Sequence, residues 1–188
     1  MSAEIFYLVG KPNYLKQELI YALRDKLNQE TSIIIPQVVT TDGNVALSDN
    51  YVYVEERDFN LRNSMGMYCL TWEKNKYQYA VVADLIQRVN TGVDVILNGS
   101  MKNVQQAQKQ FPNLNIVVIK NQGGGYNVQP NQYLIAEEDD IKLEWHDSDD
   151  DMGQPYVLTM VNEASMDKAI EMLLNLVTYE RNSYGKVV

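Results

Sequence analysis

Residues Glu4 to Leu27, EIFYLVGKPNYLKQELIYALRDKL, constrain the fold more than any other stretch of this chain. The apolar run Ile5 to Val9 stops at Gly10, a six-residue loop follows, and Leu15, Leu19, Leu23 and Leu27 then recur every fourth residue. A short apolar run reads as a buried strand, and a period of about four residues reads as a helix with one apolar face. The unit is therefore strand, turn and helix, with the helix proper expected from Lys16.

In mononucleotide-binding α/β proteins such a unit aims free backbone N–H groups and the positive helix end at a phosphate, because the first amides of a helix lack internal partners. The loop pattern for that task is G-x-x-x-x-G-K-[ST]. Here the loop reads Gly10-Lys11-Pro12-Asn13-Tyr14-Leu15-Lys16-Gln17, so the first glycine and the lysine keep their spacing. Leu15 replaces the second glycine, whose permissive angles make room for phosphate, and Gln17 replaces the hydroxyl residue that ligates Mg²⁺. Two readings of Lys16 follow, a phosphate clamp and a solvated lysine in an ordinary βα turn.

Composition removes several function classes. The 188 residues suffice for one domain with a sizeable core, and a hydrophobic content of 45% excludes a largely disordered chain. No apolar run has the length of a membrane span, and the start MSAEIFYLVGK has neither a basic leader nor a cleavage site, so a cytoplasmic protein with no membrane partner is expected. The single cysteine, Cys69, excludes an internal disulfide and any multi-cysteine metal site. A net charge of −9 with five arginines argues against a nucleic-acid surface.

Along the chain, Ser32 to Val39 reads as a strand with Pro36 marking an edge or bulge, and Thr40 to Asn44 breaks it. A tyrosine-rich middle follows: a strand at Tyr51 to Val54, a short helix from Glu55 to Asn63, and a hairpin of Met67 to Trp72 with Tyr77 to Val82 about Glu73 to Lys76. These pieces read as an inserted antiparallel subdomain. Ala83 to Asn90 reads as a helix capped near Gly92, Val93 to Leu97 as a buried strand, Ser100 as a helix cap, Met101 to Phe111 as a helix and Asn115 to Ile119 as another strand. Tyr156 to Val161 and the helix Ser165 to Glu180, with Ala169, Met172, Leu173, Leu176 and Val177 on its apolar stripe, complete the pattern. Alternating strands and helices imply a mainly parallel sheet covered on both faces, whose ligands gather at the carboxyl ends of the strands. Gly10 to Lys16, Thr40 to Asp42 and Asn98 to Ser100 are thus expected to converge on one crevice.

Other residues invite chemistry and have bland alternatives beside it. Tyr51, Tyr53, Tyr77 and Tyr79 could hydrogen-bond a phosphate, while their alternation equally suits a half-buried strand. Glu137 to Asp151 holds nine acidic residues and one lysine. Within it, His146 to Asp151 resembles the start of a calcium loop, but Gly153 falls one place late and Leu158 stands where the bidentate glutamate belongs, which favours a solvated acidic loop and no metal site.

The order of pieces resembles the guanylate kinase-like branch of the P-loop kinases, and more closely the ribose 1,5-bisphosphate phosphokinases of bacterial phosphonate metabolism. The likeness rests on Phe59 and Arg62, on Tyr68 to Trp72, on Tyr79-Ala80-Val81 and on Gly92 to Ser100. The resemblance implies a single three-layer α/β domain over residues 1–188, with core 1–40 and 91–188, an inserted NMP-binding-like subdomain at about 41–90, and an atypical replacement of the lid at about 121–155. It implies ATP with Mg²⁺, phosphates near Gly10, Asn13, Lys16 and Gln17, Lys16 as the catalytic cation, and an acceptor nucleotide or sugar phosphate near Thr41, Tyr79, Asn98 and Ser100. Against that pattern Asp42 stands where the family often has a phosphate-binding arginine, Ala80 replaces a glycine, and residues 121–155 contain no arginine. Two expectations result. One is a degenerate member, weak or inactive as a kinase, acting as a binding or regulatory module with the acidic 137–151 segment as a surface for a protein partner. The other is an active ATP-dependent kinase.

Overall fold

In chain order the elements of the computed structural model are β1 (Ile5–Lys11), α1 (Asn13–Leu27), β2 (Ile33–Ile34), β3 (Val38–Thr40), β4 (Tyr51–Tyr53), α2 (Glu56–Ser64), β5 (Tyr68–Lys74), β6 (Tyr77–Val82), α3 (Asp84–Asn90), β7 (Asp94–Asn98), a 3-10 turn (Met101–Asn103), α4 (Val104–Gln110), β8 (Leu114–Asn121), β9 (Tyr156–Met160) and α5 (Met166–Ser183). The structure describes residues 3–11, 13–27, 33–45, 48–112, 114–121, 156–160 and 166–183. The acidic segment, His146 and most of the expected lid replacement lie outside the described residues.

The main sheet has five strands in the order β2-β7-β1-β8-β9, all parallel. Strand β1 lies at its centre and is apolar at every position from Ile5 to Val9, as a strand covered on both faces must be. Its side chains alternate between two cores. Phe6 and Leu8 join Leu19, Ile20 and Leu23 of α1 and Ala169, Ile170, Leu173 and Val177 of α5 on one face. Ile5, Tyr7 and Val9 join Leu85 of α3, Val104 and Ala107 of α4, and Leu70 and Val81 of the insert on the other. The α5 stripe differs from expectation by one residue, since Ile170 is buried and Met172 is exposed.

The second sheet has the order β4-β3-β6-β5 and is mixed, not purely antiparallel. β3 pairs antiparallel with β6, and β5 with β6, but β3 and β4 run parallel. The single strand expected over residues 32–39 is divided: Ile33–Ile34 pairs with β7 in the main sheet, and Val38–Thr40 crosses to the second. Pro36 stands at the division, where its missing N–H forfeits no ladder bond. The hairpin turn is tighter than expected. Only Asn75 and Lys76 form it, with φ of 52° and 70°, the left-handed pair a two-residue hairpin requires. Ser100 precedes a 3-10 turn and makes no side-chain cap bond, so the expected helix shortens to α4.

Candidate functional site

The turn between β1 and α1 departs from the expected loop. β1 runs to Lys11, in register with Lys120, and α1 opens at Asn13, so Pro12 alone separates strand from helix. Gly10 explains the extension. Its φ is 145°, and a Cβ there would lie 2.0 Å from the Ile119 carbonyl oxygen, so only glycine lets the two strands approach this closely. Asn13 stands at the helix start, with its side chain outside the described residues.

Lys16 lies in the first turn of α1 and is buried at 5% exposure. Its ammonium donates to the Gly99 carbonyl oxygen at the end of β7. Burial, and then the nearby Lys74 charge, lower its pKa from 10.5 to about 7. A buried amine that titrates near neutrality is poised to gain charge when an anion arrives.

The next residue, Gln17, is committed within the protein. Its amide nitrogen donates to the Tyr51 hydroxyl at 2.9 Å and to Asn98 Oδ1 at 3.5 Å, while its Oε1 accepts from Asn98 and Asn50, each at 3.4 Å. Asn98 also donates to the Tyr51 hydroxyl at 3.3 Å. Burial raises the Tyr51 pKa, and the hydrogen bonds from Asn98 and Gln17 oppose the rise. Three elements therefore meet at one amide: α1, β7 and β4 of the inserted sheet.

Residues 98–100 are fastened along their length. Gly99 N–H donates to the Leu8 carbonyl at 2.8 Å, its carbonyl accepts from Lys16, and Ser100 N–H donates to the Tyr7 hydroxyl at 3.0 Å. The Tyr7 hydroxyl in turn donates to the Ser100 carbonyl at 3.3 Å, and burial pushes its pKa up to about 12. Gly99 is needed here, since a Cβ would lie 2.5 Å from the Tyr7 ring.

The insert closes the opposite wall. Asp42 is buried at 8% exposure, accepting from the Tyr79 hydroxyl at 3.2 Å and from Asn44 N–H and side-chain amide at 3.0 and 3.1 Å. Burial, then the Asp42 charge, pushes Tyr79 up to about 12. Tyr79 stacks on Trp72 with centroids 5.7 Å apart and meets Tyr51 edge-on at 6.3 Å. Thr41 faces the sheet, exchanging hydrogen bonds with the Gln78 backbone at 2.9 and 3.0 Å.

The sequence-predicted residues thus fall into two groups. Lys16, Gln17, Asn98 and the 99–100 turn come together, and Tyr79 joins them through Tyr51. Gly10 and Thr41 hold strand pairings. Asn50, Trp72 and Lys74 were missed by the sequence reading; the Leu70, Trp72, Lys74 alternation was the available signal for the last two.

Chemically the pocket suits an anion at Lys16 better than a hard cation at Gln17. Mg²⁺ takes oxygen ligands in octahedral array, whereas Gln17 Oε1 already accepts from two amides and both Asp42 oxygens accept from neighbours. Among the described residues no group of three or more His, Cys, Asp and Glu could hold a metal. These residues do not fit Mg²⁺.

A parallel sheet with this βα unit and a small mixed sheet inserted over its carboxyl edge defines a guanylate kinase-like α/β fold. Guanylate kinase from Anaplasma phagocytophilum superposes with a TM-score of 0.60 at 15% identity, over 95% of this chain and 86% of that one. In sequence the chain is similar to ribose 1,5-bisphosphate phosphokinases, with 27% identity over 109 residues to that of Dickeya zeae and 22% over 116 residues to that of Thiobacillus denitrificans. These matches cover 58% and 62% of this chain, and 57% and 61% of the respective relatives, so less than two thirds of either relative is spanned. No family model matches the chain. Among the described residues no helix is long and apolar enough to cross a membrane.

Proposed function

We propose that this protein binds a phosphorylated small molecule, a nucleotide or sugar phosphate, in the crevice between α1, β7 and the inserted sheet, and is weak or inactive in transferring a phosphoryl group. The observation that carries the reading is the engagement of Gln17 by Tyr51, Asn98 and Asn50. The side chain next to the phosphate-facing lysine ties the insert to the core, where a phosphotransferase needs a metal ligand and room for a moving acceptor. Lys16 remains suited to an anion: a ligand oxygen would take the place of the Gly99 carbonyl and be met by a full ammonium charge. In this reading the protein is a binding or regulatory module on a kinase fold.

The second reading, an active ATP-dependent kinase for ribose 1,5-bisphosphate or a related acceptor, is favoured by the curated relatives and by the burial of Lys16 at the head of α1. Calorimetric titration with ATP, with and without Mg²⁺, and with ribose 1,5-bisphosphate and GMP, separates the two. Micromolar binding with no labelled phosphate passing to either acceptor is the expected result. Measurable transfer would establish the second reading, and no heat up to millimolar ligand would discard both.

A further inference from the structure

We propose that Lys74, at the end of edge strand β5, is the second cation of this crevice, so that a bound phosphate is held between Lys16 of the core and Lys74 of the insert. The proposal rests on the binding reading above. Strand alternation places Leu70, Trp72 and Lys74 on one face of β5, with their register partners Val81, Tyr79 and Tyr77 on the same face of β6. The first two of these pairs fix the direction of that face. Leu70, Val81 and Trp72 pack in the cluster that holds Tyr7, Val9 and Leu97, at the carboxyl ends of β1 and β7. Lys74 continues this face two residues beyond Trp72, whose ring stacks on Tyr79; Tyr79 meets Tyr51, and the Tyr51 hydroxyl is bonded by Gln17 in the first turns of α1.

The electrostatics agree with the geometry. Lys74 lies near enough for its charge to act on buried Lys16, and among the described residues neither lysine makes an ion pair. Asp42, the acid of the crevice, is engaged by Tyr79 and Asn44 instead. Lys16 is buried and Lys74 exposed, so solvent screens part of their repulsion, and an anion between them turns it into attraction to both. The ligand class is a phosphate or pyrophosphate group, with the rest of the molecule toward Trp72 and Tyr79.

The test is titration of the full chain with inorganic pyrophosphate, ADP and ribose 5-phosphate, comparing wild type, Lys74→Gln and Lys76→Gln. Lys76 sits in the turn beside Lys74 and controls for net charge. Lys74→Gln is expected to weaken pyrophosphate binding about tenfold, and Lys76→Gln less than about twofold. In ligand-free protein Lys74→Gln should also raise the Lys16 pKa, followed by NMR of the labelled lysine side chain. Equal effects of the two substitutions, or an unmoved Lys16, would overturn the Lys74 assignment while leaving the binding reading intact. Wild-type protein that binds none of the three ligands overturns both. Binding of ADP or ribose 5-phosphate without pyrophosphate overturns the two-lysine site alone.

Discussion

Replacing Lys16 by methionine keeps the length of the side chain and removes its charge, and the cost of burying that charge can be read from its titration. The ammonium, held down from 10.5 to about 7, is disfavoured by roughly 5 kcal/mol at about 1.4 kcal/mol per tenfold, as an upper bound. Against this, Lys16→Met leaves the Gly99 carbonyl without its donor, a loss of about 1–3 kcal/mol. The net expectation at pH 6.5 is a gain of at most about 2–4 kcal/mol, or roughly 5–15 °C in Tm for a chain of this size. The sign of the pH dependence follows from the same numbers. The folded pKa lies below the unfolded one, so between about 7 and 10.5 the unfolded chain holds the extra proton and wild-type stability rises with pH, by at most about 1.4 kcal/mol per pH unit. Tyr7 and Tyr79, raised to about 12, and Cys69, raised to about 11 by burial, act oppositely at the alkaline end, where stability falls as the unfolded groups ionise first. The difference between wild type and Lys16→Met from pH 6.5 to 9, measured by urea unfolding, isolates the lysine. A variant that melts lower than wild type at pH 6.5, with the same pH slope, would refute the argument that Lys16 is a buried charge held at the expense of stability.

Sulfate, which does not titrate in this range, should bind more weakly as pH rises through about 7, because its binding recruits a proton to Lys16; calorimetry in buffers of different ionisation enthalpy reads that uptake directly. Gln17→Ala is expected to cost about 1–3 kcal/mol in urea unfolding, since it strips partners from Tyr51, Asn98 and Asn50 at once, whereas Gln78→Ala, whose side chain meets Asn60 at the exposed edge, should cost less than about 0.5 kcal/mol. Gly10→Ala should lose ~3 kcal/mol or more, from its φ of 145° and the 2.0 Å approach to the Ile119 carbonyl, and leave little soluble protein. Asp42→Asn should lower the Tyr79 pKa, seen as one tyrosine ionising earlier in an ultraviolet titration, and an unchanged curve would separate Asp42 from that hydroxyl.

Much of the main sheet was legible in the sequence because its strands are buried on both faces. Ile5 to Val9, Val95 to Leu97 and Ile116 to Ile119 are unbroken apolar runs, and no helix of comparable length would be apolar all round beside amphipathic neighbours. The β1–α1 turn was not legible. A Gly-Lys-Pro-Asn run signals a loop by composition, but Gly10 serves a strand whose partner, Ile119, lies more than a hundred residues away. The mixed insert was equally opaque, since the residues of β3 and β4 carry no local signal that the two strands pair parallel while β6 pairs antiparallel on the other edge of β3. Gln17 looked like a lost hydroxyl ligand; its actual partners stand 33, 34 and 81 positions further along the chain. Lys74 was assigned to a turn that involves only the two residues after it.

The arrangement of bonds decides which motions this crevice allows. A kinase with an inserted acceptor domain works by closing the insert on its substrates and reopening it to release products. Here the Tyr51 hydroxyl of the insert is bound by both Gln17 of α1 and Asn98 of β7, so the observed arrangement of insert and core is stabilised by the protein's own groups. Parting the insert from the core would break these two part-buried hydrogen bonds and the Asn50 contact together, and each group so exposed must regain its partner from water. Lys16 stands apart from this clasp, because its bond is to the backbone oxygen of Gly99, a residue already fixed by donating its N–H to the Leu8 carbonyl and by Tyr7 packing. In the proposed reading a ligand phosphate takes the place of the Gly99 oxygen at Lys16, and the bonds among Gln17, Tyr51 and Asn98 take no part in that exchange. In the proposed binding reading, ligand exchange at Lys16, with Lys74 as the second cation, takes place within a frame that does not need to open.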